Sequence, residues 1–235
     1  MLLEERSIGA YTIRLWQPVP GTGMYNQATI HREGQPEITV DAVTAIHDLP
    51  AGLTGDGSPD IWFETFAGGS RCCAGTVAYD LGTVPTKVLD ILQEPDYYGT
   101  GSGTFQDLDG DGSLEFITRD PLRGIPCSGP AVKVILQYLP GQGYVGASPR
   151  FAAAHADDIA VHTRGAEEQV ELSRDGYKCG VYELIVDYLY SGQVDRAWEE
   201  LQRLYLGSDL EQFRAQLQQA VNQGRFYVPG AGANP

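Results

Sequence analysis

The sequence predicts an α+β protein, with an N-terminal all-β part of short strands and a small C-terminal helical part. Three observations predict it. Up to position 149, runs rich in β-branched and aromatic residues are broken by Gly, Pro or Asp about every 8–12 residues, the punctuation of an all-β architecture. From Lys178 onward the apolar residues change to a helical period. Within the β part, one acidic, glycine-rich segment occurs twice at an offset of 55 residues.

Strands are expected at Tyr11–Gln17, Glu37–Val43, Asp60–Phe66, Gly75–Leu81, Lys87–Leu92, Leu114–Arg119 and Ala131–Leu139. Leu139-Pro140-Gly141-Gln142-Gly143 reads as a turn, which makes Ala131–Val145 a hairpin. The β domain is placed at 1–149. The polar stretch at 150–177 reads as a linker and 178–226 as a three-helix segment, with 227–235 as a tail. In the first helix Val181, Leu184, Ile185, Tyr188 and Leu189 share a face. Asp195 starts the second, whose buried stripe is Ala197, Trp198, Leu201 and Leu204. The third follows Ser208 or Asp209 and turns Leu210, Phe213, Leu217 and Val221 inward.

The 235 residues carry 16 Lys and Arg against 31 Asp and Glu, a formal net charge of −15. Such a surface repels phosphate backbones and anionic lipid, which argues against nucleic acid as a partner and favours cations. No apolar run is long enough to span a membrane.

The chemistry concentrates in the repeated segment. Its second copy is Asp107-Leu108-Asp109-Gly110-Asp111-Gly112-Ser113-Leu114-Glu115. Alternate carboxylates at Asp107, Asp109 and Asp111 can converge because the intervening glycines let the chain coil tightly. Ser113 would add a carbonyl and Glu115 a further carboxylate, a cage of hard oxygens that suits calcium. The position where an EF-hand needs its bidentate Glu is Thr118, and the flanks read as strand, so a loop between strands is expected. The first copy, Gly52-Leu53-Thr54-Gly55-Asp56-Gly57-Ser58-Pro59-Asp60, has Gly52 and Thr54 where the second has Asp107 and Asp109. Its carboxylates are Asp56 and Asp60, which predict a weaker site. Asp48 is the one preceding acid placed to reach in.

These segments resemble the FG-GAP and VCBS repeats of integrin-type β-propellers. Together with Gly68-Gly69-Ser70-Arg71-Cys72-Cys73, they are closer still to a group of uncharacterised exported bacterial proteins. Those carry a TGDG turn, a GGAHCC segment, a DLDGDG loop and a helical C-terminal part. The resemblance covers about Tyr11 to Phe226 and implies calcium at Asp107, Asp109, Asp111 and Glu115, without a known activity. Ser70-Arg71 replaces Ala-His here, which removes any role of that His. Two repeats cannot close a propeller, so a partial propeller or blade-like sheets are expected.

Four cysteines leave two bridged arrangements open. Either Cys72 and Cys73 pair separately with Cys127 and Cys179, or a vicinal Cys72–Cys73 bond accompanies Cys127–Cys179. Free thiols are the third state. His155, Asp158 and His162 have no standard metal-ligand spacing and read as solvated linker, while His31 and His47 read as structural. Tyr97-Tyr98 beside a Gly-rich turn is the one candidate platform for a sugar. Neither GxSxG nor HExxH occurs. The expected function is therefore a calcium-stabilised, non-enzymatic module, secreted, periplasmic or at the cell surface with its leader removed, the cytoplasm being the alternative compartment. It would act as a monomer in adhesion or in binding a protein or glycan. A hydrolase with its acids hidden among the carboxylates, or a purely structural protein with a vestigial loop, are the alternatives.

Overall fold

The computed structural model describes residues 1–18, 25–49, 52–66, 68, 73–92, 100–124, 127, 131–172 and 176–230. Twelve strands form three four-stranded sheets, and four α-helices follow among the described residues, so the protein is α+β. The first sheet has the order β1 (Leu2–Ile8), β2 (Tyr11–Trp16), β3 (Gln27–His31), β4 (Ile38–Asp41). The second has β5 (Val43–Leu49), β6 (Asp60–Phe66), β7 (Ala74–Asp80), β8 (Thr86–Leu92). Every neighbouring pair in these two sheets is antiparallel. The third sheet contains β9 (Thr104–Gln106), β10 (Glu115–Pro121), β11 (Ala131–Leu139) and β12 (Gly143–Gly146), again in chain order. Within each sheet the neighbours follow one another in the chain, which keeps the pairing local.

Sequence periodicity places β6, β7, β8, β10 and β11 within a residue or two of their observed bounds. It misses β1, β3 and β5. In β1 only Ile8 is buried, and β3 buries Ala28, Thr29 and Ile30 in a row, so neither shows a clear period-2 alternation.

Two compact units divide the chain. One is Met1–Phe116 with Tyr138–Tyr144, and the other is Ile117–Gln137 with Val145–Pro235. In the first unit, Ile8, Tyr11, Ile13, Ala28, Ile30, Val40, Val43, Ile61, Phe63, Tyr79 and Leu81 form a continuous core. Alternate positions of β2 and β6 enter it (Tyr11 and Ile13, Ile61 and Phe63), as the period-2 rule for strands requires.

The second unit centres on helix α2 (Tyr177–Tyr190), where Val181, Tyr182, Leu184, Ile185, Val186 and Leu189 are all but inaccessible. Helix α3 (Val194–Leu204) adds Ala197, Leu201 and Leu204, and helix α4 (Leu210–Asn222) adds Phe213, Leu217 and Val221. These match the stripes expected from sequence, except that Trp198 and Leu210 are only half-buried. Residues 150–177 do not behave as the linker that polarity suggests. A 3-10 segment at Ser148–His155 leads into the sixteen-residue helix α1 (Ala156–Glu171). Ala166 is its only fully buried residue, so its apolar stripe is too thin for a periodicity reading to detect.

Buried polar groups tie this unit together. The Asp120 carboxylate, at the end of β10, accepts the Tyr190 hydroxyl at 2.9 Å and the Phe226 and Arg225 amides at 2.9 and 3.3 Å. Burial raises the Asp120 pKa, and these donors oppose the rise. Cys127 and Cys179 form a disulfide with a Cα–Cα separation of 5.6 Å, across 52 residues. That pairing excludes bridges from Cys127 and Cys179 to the Cys72-Cys73 doublet. Cys73 is also disulfide-bonded, and Cys72 lies outside the described residues.

Replacing Asp120 by Ala strands a buried hydroxyl and two amides, so it should cost about 2–4 kcal/mol of unfolding free energy in urea titrations. Asp120→Asn keeps an acceptor and should lose less than half as much.

Candidate metal centre

The second acidic loop connects β9 to β10, and its shape follows from its glycines. Gly110 and Gly112 take φ of +78° and +86°, a region that side chains disfavour. Between them the acids fold back onto the chain. Asp107 accepts the Gly110 amide at 2.7 Å through Oδ1 and the Gly112 amide at 3.2 Å through Oδ2. Asp109 accepts the Asp111 amide at 3.3 Å, and Asp111 accepts the Ser113 amide at 2.8 Å. Glu115 opens β10, is 0% exposed, and accepts the Leu108 amide at 2.8 Å through Oε2. Its other oxygen, Oε1, is buried and has no hydrogen-bond partner.

One carboxylate oxygen from each of Asp107, Asp109 and Glu115 lies within 4.8 Å of the other two. Like charges at that spacing repel by about 1 kcal/mol per pair even in water, and by more beside a buried group. The Glu115 pKa is raised, mainly by burial and further by Asp109 and Asp111. Asp111 turns to the Ser113 amide. The structure thus brings three of the four predicted carboxylates together. The donors are hard oxygens, which suit calcium or magnesium over softer metals.

The first loop, between β5 and β6, repeats this construction at its glycines, at Asp56 and at Asp60. Gly55 and Gly57 have φ of +73° and +82°. Asp56 accepts the Ser58 amide at 2.7 Å, as Asp111 accepts that of Ser113. Asp60 opens β6, is 0% exposed, and accepts the Leu53 and Thr54 amides through Oδ2. Its Oδ1, like Oε1 of Glu115, is buried without a partner. Burial pushes the Asp60 pKa up to about 7, with Asp80 and Asp56 adding to the rise. Asp48 does not reach in; it pairs with Arg6 at 2.8 Å.

The two loops are joined at the Leu53 carbonyl. It accepts the Leu114 amide at 3.1 Å and the Ser113 hydroxyl at 3.2 Å. The Tyr144 hydroxyl sits between the Leu53 and Leu114 carbonyls, at 3.1 and 2.8 Å. A Cβ on Gly55 would meet the Ser113 Cβ at 3.3 Å, a tight approach that adds to the strain of its positive φ. Behind this junction the Phe105 ring contacts Trp62, Phe116 and Tyr144, with centroids 4.7–5.8 Å apart, and Trp62 stacks on His47. Sequence reasoning missed Tyr144 and Asp80. Tyr144 was hidden in a hairpin, whereas Asp80 carried a local clue, since its carboxylate accepts the Gly82 amide in a tight turn.

Elsewhere the predicted candidates separate. Asp158 pairs with Lys133 at 2.8 Å, and the His162 Nδ1 meets Asp187 at 2.5 Å, which raises the His162 pKa. His155 is buried with neither ring nitrogen partnered. Burial lowers its pKa to about 4, with Lys133 adding and Asp158 opposing. Tyr97, Tyr98, Ser70 and Arg71 lie outside the described residues. A groove of about 750 Å³ in the helical unit has an alanine-rich floor, but its Arg203 is already paired with Glu167 and Glu200.

Among family models, curated proteins and solved structures, nothing matches this chain. The reading of the site therefore rests on its geometry.

Two outcomes follow. Tyr144→Phe removes the donor between the loops and should lower stability by about 1–2 kcal/mol, measured by thermal unfolding. His155 has a folded pKa below its unfolded value, so proton uptake favours unfolding. Its contribution, on the order of 3 kcal/mol, should be lost as pH falls from about 6.5 to 4. His155→Gln should flatten that acid slope in urea titrations across the same window.

Proposed function

We propose that this chain is a non-enzymatic, divalent-cation-stabilised module, with calcium as its ion, acting outside the cytoplasm in binding or adhesion. The observation that carries the cation reading is Glu115. A fully buried carboxylate with an unpartnered oxygen, grouped with Asp107 and Asp109, is costly unless a cation joins it. Calcium accepts irregular oxygen cages of this kind, whereas magnesium demands a tighter octahedron. The likeness of Asp107–Glu115 to FG-GAP and VCBS loops supports the same ion.

The extracytoplasmic reading is supported by the Cys127–Cys179 bond, since disulfides persist in oxidising compartments. Among the described residues, no helix is long and apolar enough to cross a membrane. Extracellular calcium near 1 mM would saturate a loop with a Kd of order 10⁻⁴ M, which adds roughly 1.4 kcal/mol through mass action.

Thermal unfolding in EDTA against millimolar calcium tests the reading. Calcium should raise the midpoint by roughly 3–5 °C, magnesium by much less, and Asp109→Ala should abolish most of the rise. An unchanged midpoint would reduce the second loop to an acidic turn.

A further inference from the structure

We infer that the groove of the helical unit binds a small organic carboxylate with an apolar body, and that Arg196 and Tyr188 hold its anionic end. The groove exists because helices α1 and α3 both pack against α2 and touch each other little. The α1 side chains along it are Ala153, Ala156 and Ala160, too short to fill the space between the helices. What remains is a furrow of about 750 Å³, a volume and a setting between helices that suit a small molecule. Toward the C-terminal ends of both helices an ion pair crosses it. There Arg203 of α3 holds Glu167 of α1 at 2.8 Å and Glu200 of its own helix at 2.6 Å. Arg203 is therefore committed, and the positive charge left to face a ligand is that of Arg196.

Arg196 stands two turns before Arg203 on the same face of α3, about 10 Å along the axis. Its guanidinium lies 5.3 Å over the Tyr188 ring and, among the described residues, pairs with no carboxylate. The ring covers one face of the guanidinium and leaves its N–H edge open. That edge grips a carboxylate through two parallel hydrogen bonds. Tyr188 is the second, independent sign of a ligand. It is 3% exposed, yet its hydroxyl has no hydrogen-bond partner among the described residues. Buried phenols ordinarily find one. The oxygen is not sealed off, so it opens on the space its side chain lines, which is this groove. Two donors without acceptors thus border one space, and the alanine wall beside them suits an apolar body. Glu200, one turn from Arg196 on the same face, makes a singly charged carboxylate a better fit than a dianionic phosphate. The groove shares no residue with the acidic loops, so this inference does not depend on the cation reading above.

Titration calorimetry of the full chain with naphthalene-2-carboxylate and with its neutral isostere, naphthalene-2-carboxamide, tests it. The carboxylate should bind once per chain with a Kd of order 10⁻⁴ M, and the carboxamide about tenfold more weakly. Arg196→Gln should bring the carboxylate down to the level of the carboxamide, and Tyr188→Phe should weaken it severalfold. Ala160→Leu should fill the wall of the groove and weaken both compounds alike. Arg196 and Ala160 are exposed, so these replacements should leave the fold intact, which circular dichroism checks. Equal affinity of the unaltered chain for the two compounds, or no binding of the carboxylate, would overturn the inference. Undiminished carboxylate binding by Arg196→Gln or by Ala160→Leu would overturn it as well.

Discussion

The Leu53 carbonyl is the point on which the acidic region depends. Leu53 is completely buried, and its oxygen gathers the Leu114 amide, the Ser113 hydroxyl and the Tyr144 hydroxyl. Each donor belongs to a segment distant in sequence, so one acceptor sets the spacing of two loops and a hairpin. Without it, the Leu114 amide and the Ser113 hydroxyl would lose their acceptor at a cost of about 1–3 kcal/mol each, while the Tyr144 hydroxyl would keep the Leu114 carbonyl. The aromatic contacts of Phe105 with Trp62, Phe116 and Tyr144 pack behind that junction.

From this junction the two loops present the same device. In each, the acid that opens the following strand turns back to hold an amide seven residues earlier, Leu53 for Asp60 and Leu108 for Glu115. One oxygen is thereby satisfied and the other left dry. Burying a carboxylate in this way is unfavourable by itself, and both acids have raised pKa values for that reason. The strain is therefore electrostatic.

The helical unit relies on different chemistry. Asp120 holds Tyr190 and the chain at Arg225 and Phe226, while the Cys127–Cys179 bond anchors the segment after β10 to helix α2. A covalent link across 52 residues restricts the unfolded chain and so favours the folded one. His155 is the counterweight, a buried imidazole kept neutral by its surroundings.

What the sequence determined by itself is whatever local order encodes. The paired DGDG loops are legible because Gly55, Gly57, Gly110 and Gly112 dictate the same backbone turns wherever they occur. The helices α2, α3 and α4 are legible because their buried stripes are thick. Helix α1 was not, because alanines and a largely solvated surface leave little periodicity to read. Tertiary structure alone decided that Asp80 faces Asp60, that Tyr144 joins the loops, and that Asp48 turns away to Arg6. Those relations depend on strand register and on which distant charge arrives first, and neither leaves a trace in the order of neighbouring residues.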